Sequence, residues 1–242
     1  MKRNSSITAY TVGHLLVDFA CGYILYYMYT QETIEVIEVG GIFVLYNLLA
    51  FATQFIFGIA ADKFASNGRF FATCGCIVTA LGLFFGDTSP YLTVTLVGIG
   101  NAMFHVGGGI DALTRSNGMT RAGIFVSSGS LGVALGCFAG TKEWIKTYHL
   151  IAVLLFVAAV VWIYCSGKRE LHDMSNDEIY DGAQPFSKRV LINSAAPAIV
   201  VLLAAIFLRS WVGSIALSPE SDSSIAFLLP AVAAFGGKYN IK

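Results

Sequence analysis

Residues 8–29 read TAYTVGHLLVDFACGYILYYMY, and this stretch decides the class of fold. It is apolar almost throughout, and its two ionisable side chains, His14 and Asp18, lie near its middle. A helix that crosses a membrane needs about 20 mostly apolar residues. The stretch is too long for the apolar core of a signal peptide, and no small-x-small cleavage site follows it. It therefore predicts a permanent membrane-spanning helix.

The composition of the whole chain points the same way. The chain has 242 residues, of which 56% are hydrophobic and only 12% are charged. An ordinary soluble domain has about 25% charged residues, so these values exclude a soluble globular enzyme and a disordered chain. The formal net charge is zero, which provides no basic field for a nucleic-acid partner. We expect a membrane protein whose constant partner is the lipid bilayer.

Further apolar stretches predict several membrane crossings and an all-α fold. The predicted spans are 8–29, 38–60, 70–87, 91–110, 122–141, 147–166 and 190–216, with a shorter eighth span from Ser223 toward Phe235. Only residues 167–189 break this pattern with a long polar stretch. We therefore predict an amino-terminal six-helix bundle over 1–166, a cytoplasmic linker over 167–189, and one to two helices of an incomplete second bundle over 190–242.

The lysines and arginines predict the orientation of the chain. If the amino terminus is cytoplasmic, twelve of them lie in cytoplasmic segments and only Lys142 and Lys146 lie outside. Cytoplasmic loops of membrane proteins are enriched in these residues. We expect a multi-pass protein of the cell membrane with a cytoplasmic amino terminus.

The five cysteines predict neither a metal centre nor a disulfide framework. Cys74 and Cys76 form a C-x-C pair, no matching pair of histidines follows, and all five cysteines lie within or beside apolar stretches. Zinc sites usually combine C-x-x-C spacing with further cysteines or histidines. We therefore expect no bound cofactor or metal.

The first span contains the strongest candidates for function. His14 and Asp18 are four residues apart, so their side chains share one face of a helix. An ionised group in the middle of a membrane costs roughly 2.5–3.5 kcal/mol on insertion scales, so this pair must face the interior of the bundle. We interpret it as a proton-coupling or substrate-binding pair. The alternative is a structural hydrogen bond between helices.

The fourth span offers a second pair at the same spacing. Residues 98–105 read GIGNAMFH, so Asn101 and His105 also share a helix face. The fourth span runs opposite to the first, which predicts that His105 lies broadly level with His14 and that the two helices face one cavity. The alternative for His105 is again a structural hydrogen bond.

Glycines mark a third feature, in the fifth span. Gly132, Gly136 and Gly140 recur every four residues and form one stripe of small residues. Such stripes let two membrane helices approach closely. We predict a helix-packing face here.

The segment between spans two and three reads GIAADKFASNGRF over 58–70. A carboxylate and a cation close one helix, and a Gly-Arg pair opens the next. These fixed charges can interact with helix ends. We call this segment the latch loop, and its candidate residues are Gly58, Asp62, Lys63, Gly68 and Arg69.

The latch loop resembles the major facilitator superfamily signature G-x-x-x-D-[RK]-x-G-[RK]-[RK]. It departs from the signature in having three additional residues before Gly68 and in having Phe70 where a second cation is usual. The segments GHLLVDF, GIGNAMFH and GIFVSSGSLGVALG resemble the fosmidomycin-resistance branch of that superfamily. The resemblance implies a major facilitator fold with two six-helix halves, and proton-coupled efflux of a small molecule by a secondary active transporter.

Two departures qualify what the resemblance implies. Val94 stands where many drug–proton antiporters carry an arginine, and Cys137 follows Gly136 where they carry a proline. If coupling exists, it is therefore expected to use His14, Asp18 and His105.

The length is the larger departure, because the family has twelve spans and this chain ends near the eighth. We expect a carboxy-terminally truncated chain that lacks its second-half bundle, and the alternative function is a non-transporting remnant. A membrane-embedded enzyme is disfavoured, because a catalytic His–Asp pair is expected at the membrane interface and not at mid-bilayer.

Overall fold

The computed structural model describes residues 2–30, 36–63, 68–114, 118–142 and 145–165, and every regular element within them is an α-helix. The elements are α1 (Lys2–Thr30), α2 (Val36–Lys63), α3 (Gly68–Phe84), α4 (Pro90–Thr114), α5 (Gly118–Lys142) and α6 (Thr147–Tyr164). The prediction of an all-α fold is confirmed for these residues. The predicted linker and the predicted seventh and eighth spans lie outside them.

Five of the six described helices contain stretches that are long and apolar enough to cross a membrane. These stretches are Ile7–Thr30, Gly40–Lys63, Pro90–Ile110, Gly123–Lys142 and Thr147–Tyr164. The helix α3 has 17 residues, which corresponds to about 25 Å at 1.5 Å per residue. The protein is therefore a multi-pass membrane protein with several apolar helices.

The prediction that the third span reaches residue 87 was wrong by three residues. The helix α3 ends at Phe84, although the sequence stays apolar through Gly86. Short-range hydrogen bonds close a turn there, with the Gly86 N–H donating to the Leu83 carbonyl at 3.1 Å and the Thr88 N–H donating to the Phe85 carbonyl at 3.0 Å. Pro90 then opens α4, where its missing N–H requires no partner.

The tightest packing in the described bundle joins α1 to α5. A Cβ atom at Gly132, Gly136 or Gly140 would collide with a backbone carbonyl oxygen of α1. These oxygens belong to Leu15, Phe19 and Tyr23, respectively. The two backbones are therefore in direct contact along the predicted stripe, as in other closely packed membrane helices.

The helix α2 is much less enclosed than α1. It packs chiefly against α4. In its most apolar stretch only 11% of the residues are buried, compared with 56% in the corresponding stretch of α1. Large apolar side chains such as Val44, Leu48 and Phe55 are exposed on it, each by 60% or more. Water would penalise such exposure, whereas hydrocarbon or a further apolar helix would not.

Candidate functional site

Four polar side chains from α1 and α4 meet in the interior of the bundle. We call His14, Asp18, Asn101 and His105 the central cluster. Asp18 is the twelfth of 24 residues in its span and Asn101 is the twelfth of 21 in its span, so the central cluster lies near the middle of both spans. His14, Asp18 and Asn101 are buried and His105 is half-buried.

The carboxylate of Asp18 is the hub of the central cluster. Its Oδ1 accepts a hydrogen bond from Nδ2 of Asn101 at 2.6 Å and lies 3.1 Å from Nε2 of His105. Its Oδ2 lies 3.2 Å from Nε2 of His14. Both oxygens therefore have polar neighbours, which a charge buried away from water requires.

A backbone carbonyl of α5 fixes the tautomer of His14. Nδ1 of His14 lies 2.6 Å from the carbonyl oxygen of Phe125. Because a carbonyl oxygen only accepts hydrogen bonds, Nδ1 must carry the hydrogen. The Phe125 ring also stacks on the imidazole, with a centroid separation of 4.1 Å and an interplanar angle of 16°. A neutral His14 consequently points the lone pair of Nε2 toward the other members of the central cluster.

This arrangement leaves room for a further positive charge. Nε2 of His105 lies 2.8 Å from Nε2 of His14, so the hydrogen on His105 can serve both His14 and Asp18. With a neutral His14, its Nε2 and the Oδ2 of Asp18 then face each other as two acceptors. A small cation placed between them, either a proton or a metal ion, removes that repulsion. The donor atoms of His14, Asp18 and His105 all lie within 4.8 Å of one another.

The helix α5 closes one side of the central cluster through Gly129. A Cβ atom at Gly129 would collide with the imidazole of His14 and with Oδ2 of Asp18. The missing side chain therefore lets the α5 backbone cover the pair directly. The sequence pointed to the packing stripe on α5 but missed the contacts of Gly129 and of the Phe125 carbonyl. The only hint of the Gly129 contact in the sequence was that this glycine lies three residues before the stripe.

His105 is the most exposed member of the central cluster. The side chain of His105 is 23% exposed, whereas those of His14 and Asp18 are 3% and 8% exposed.

The structure does not bring the latch-loop residues together as one group. Asp62 and Lys63 are exposed at the end of α2, and the next four residues lie outside the described chain. Gly68 packs against the carbonyl oxygen of Gly107. The guanidinium of Arg69 lies 4.4 Å from the centroid of the Trp162 ring, and its Nη1 donates to the Trp162 carbonyl at 3.3 Å.

Gly58, the remaining candidate of the latch loop, lies on a half-buried face of α2. Apart from its chain neighbours and the backbone of its own helix, no atom of the described residues lies within 4 Å of the place where its Cβ would be. Close packing therefore does not explain a glycine at this position.

Comparisons with protein-family models, with curated proteins and with solved structures found no match.

Proposed function

We propose that the protein is a secondary active transporter that exports a small molecule, with the proton gradient as its energy source. The observation that supports this proposal is the central cluster, which places a carboxylate and two imidazoles near the middle of two apolar spans. Ionisable groups at this depth are costly, and in membrane proteins they mark the paths of ions and substrates. A merely structural role would not require two imidazoles and a carboxylate in mutual contact.

The position of the central cluster among the helices also supports transport. Its side chains come from α1 and α4, while α5 contributes the Phe125 carbonyl and the Gly129 backbone. A species bound at Asp18 therefore contacts three helices at once. Transporters that alternate access bind their substrates near the membrane midplane, between elements that move relative to each other.

The remaining parts of the proposal follow from the resemblance to the major facilitator superfamily. They are the efflux direction and a second bundle as partner, whereas the cytoplasmic amino terminus in the cell membrane follows from the distribution of lysines and arginines and proton coupling from the central cluster. The latch loop would then contribute to the change between inward-open and outward-open states.

Inside-out membrane vesicles that contain the protein test the proposal. A pH-sensitive dye reports an established proton gradient, and fosmidomycin serves as the first solute. We expect addition of the solute to release protons from the vesicles containing the wild-type protein. Asp18→Asn should abolish this release, because the amide keeps the shape of the carboxylate and removes its charge.

The matched control is Asp87→Asn, which removes an exposed carboxylate at the turn after α3. It should retain the release. Normal release by Asp18→Asn would contradict the role given to the central cluster. No release by an inserted wild-type protein with a panel of solutes would favour the non-transporting alternative.

A further inference from the structure

We propose that the central cluster binds a divalent first-row transition-metal ion through Nε2 of His14, Nε2 of His105 and the carboxylate of Asp18. This inference adds a ligand to the site of the proposed function and rests on that function only for the role of the ion in transport. Binding is a separate property and can be measured without transport.

The spacing of the donor atoms matches such an ion. Ligand atoms about 2.1 Å from a metal lie about 3.0 Å apart at right angles and about 3.4 Å apart in a tetrahedron. The three separations here are 2.8 Å between the two Nε2 atoms, 3.1 Å from His105 to Oδ1 of Asp18, and 3.2 Å from His14 to Oδ2. The two distances to Asp18 involve different carboxylate oxygens, so they fit a carboxylate that binds the ion through both oxygens, and all three separations are close to the about 3.0 Å of ligands at right angles.

The surroundings of the ligands match as well. A metal-binding histidine usually donates its other ring N–H to a carbonyl or carboxylate, which fixes the tautomer and the ring orientation. His14 makes this bond to the Phe125 carbonyl, and Asn101 holds Oδ1 of Asp18 in the same way. His14 and Asp18 are therefore oriented before any ion arrives, and His105 binds as the tautomer that carries its hydrogen on Nδ1.

The ligand types define the class of ion. Imidazole nitrogens favour iron, cobalt, nickel, copper and zinc, whereas magnesium and calcium prefer sites built from oxygen alone. Two imidazoles and one carboxylate leave further coordination positions open, and this combination of ligands also occurs in the non-haem iron sites of oxygenases. Since α5 covers the central cluster at Gly129, the open positions lie on the sides that α5 leaves uncovered.

A titration of the purified full chain with Co²⁺ tests the proposal. The protein is held in detergent, carries an affinity tag without histidine, and is first stripped with a chelator. Isothermal titration calorimetry measures the stoichiometry, and the visible absorption of Co²⁺ reports its coordination. We expect one Co²⁺ per chain in a six-coordinate spectrum, and no saturable binding of Mg²⁺.

Three variants locate the site. His105→Gln and Asp18→Asn should each weaken Co²⁺ binding at least about tenfold, because each loses a ligand and even outer-shell changes cost 10–100-fold. His149→Gln should leave the affinity unchanged, because His149 is an exposed imidazole at the start of α6. Loss of binding in His149→Gln with retention in His105→Gln would overturn the proposal.

A measurement on the wild-type protein covers the case in which the variants fail to fold. X-ray absorption of bound Co²⁺ should show two imidazole ligands, and a spectrum without imidazole scattering overturns the proposal. If wild-type protein binds no Co²⁺ while transport still depends on Asp18, the metal inference fails and the proposed function stands. If Co²⁺ binds but no solute is transported, the metal inference stands and the proposed function fails.

Discussion

The central cluster and the latch loop differ in how closely polar partners surround their charged residues. In the central cluster, polar side chains from two helices lie within hydrogen-bonding distance of Asp18. In the latch loop, Asp62 and Lys63 are exposed, while Arg69 stacks on Trp162. A buried charge must find partners because isolation is costly, whereas an exposed charge is screened and has no such requirement. The difference predicts that substitutions matter more in the central cluster.

The largest effect is expected from Gly129→Ala, which places a methyl group against His14 and Asp18. Overpacking of this kind typically costs about 1–3 kcal/mol, so we expect a corresponding loss in the free energy of unfolding in mixed detergent micelles. Gly123→Ala on the same helix is the control. A Cβ atom there meets nothing within 4 Å, so that variant should be neutral or slightly more stable. Equal effects of the two substitutions would rule out the close contact at Gly129.

A smaller effect is expected from Asn101→Leu, which removes the amide that donates to Asp18. Hydrogen bonds between membrane helices contribute about 0.6–2 kcal/mol, and the loss should appear in the same unfolding measurement. Asn47→Leu is the control, because Nδ2 of Asn47 bonds only to the Phe43 carbonyl within its own helix α2 among the described contacts. We would abandon the view of Asp18 as a hub if Asn47→Leu proved the more harmful change.

In the latch loop, the largest effect is expected from Arg69→Gln, which removes the guanidinium from the face of Trp162. A partly exposed cation–π contact contributes about 0.5–1 kcal/mol, and the thermal unfolding midpoint should fall slightly. Arg69→Lys keeps the positive charge but removes the planar group that stacks on the ring. We expect only partial recovery with lysine. Full recovery would mean that positive charge alone is needed there.

The smallest effect is expected from Asp62→Asn, which changes an exposed carboxylate at the end of α2. Exposed substitutions away from special features usually change stability by no more than about 0.5 kcal/mol. Unfolding of this variant should therefore match that of the wild type. A loss as large as that of Asn101→Leu would show that the latch loop constrains the bundle as firmly as the central cluster does.

The sequence predicted those parts of the molecule that depend on side-chain type and helical spacing. Apolar length predicted the six described helices, and a spacing of four residues paired His14 with Asp18 and Asn101 with His105. The glycine stripe predicted a close helix contact on α5. Each of these features follows from helix geometry and from the cost of burying charge.

Other features depend on contacts that no sequence pattern records. The Phe125 carbonyl belongs to the backbone, so no residue type in the sequence indicates that it accepts a hydrogen bond from His14. Arg69 and Trp162 are 93 residues apart, and their contact depends on how α3 packs against α6. The end of α3 depends on local hydrogen bonds inside a stretch that is still apolar. Tertiary packing determines all three.

The glycine stripe of α5 also restricts how the gene for this protein can vary. Any single-base change that replaces a glycine by another amino acid adds at least a Cβ atom. At Gly132, Gly136 and Gly140 that atom would collide with a carbonyl oxygen of α1. A library of all single codon changes should therefore show intolerance at these three positions as well as at Gly129, whereas Gly123, near the start of that helix, should accept small residues freely.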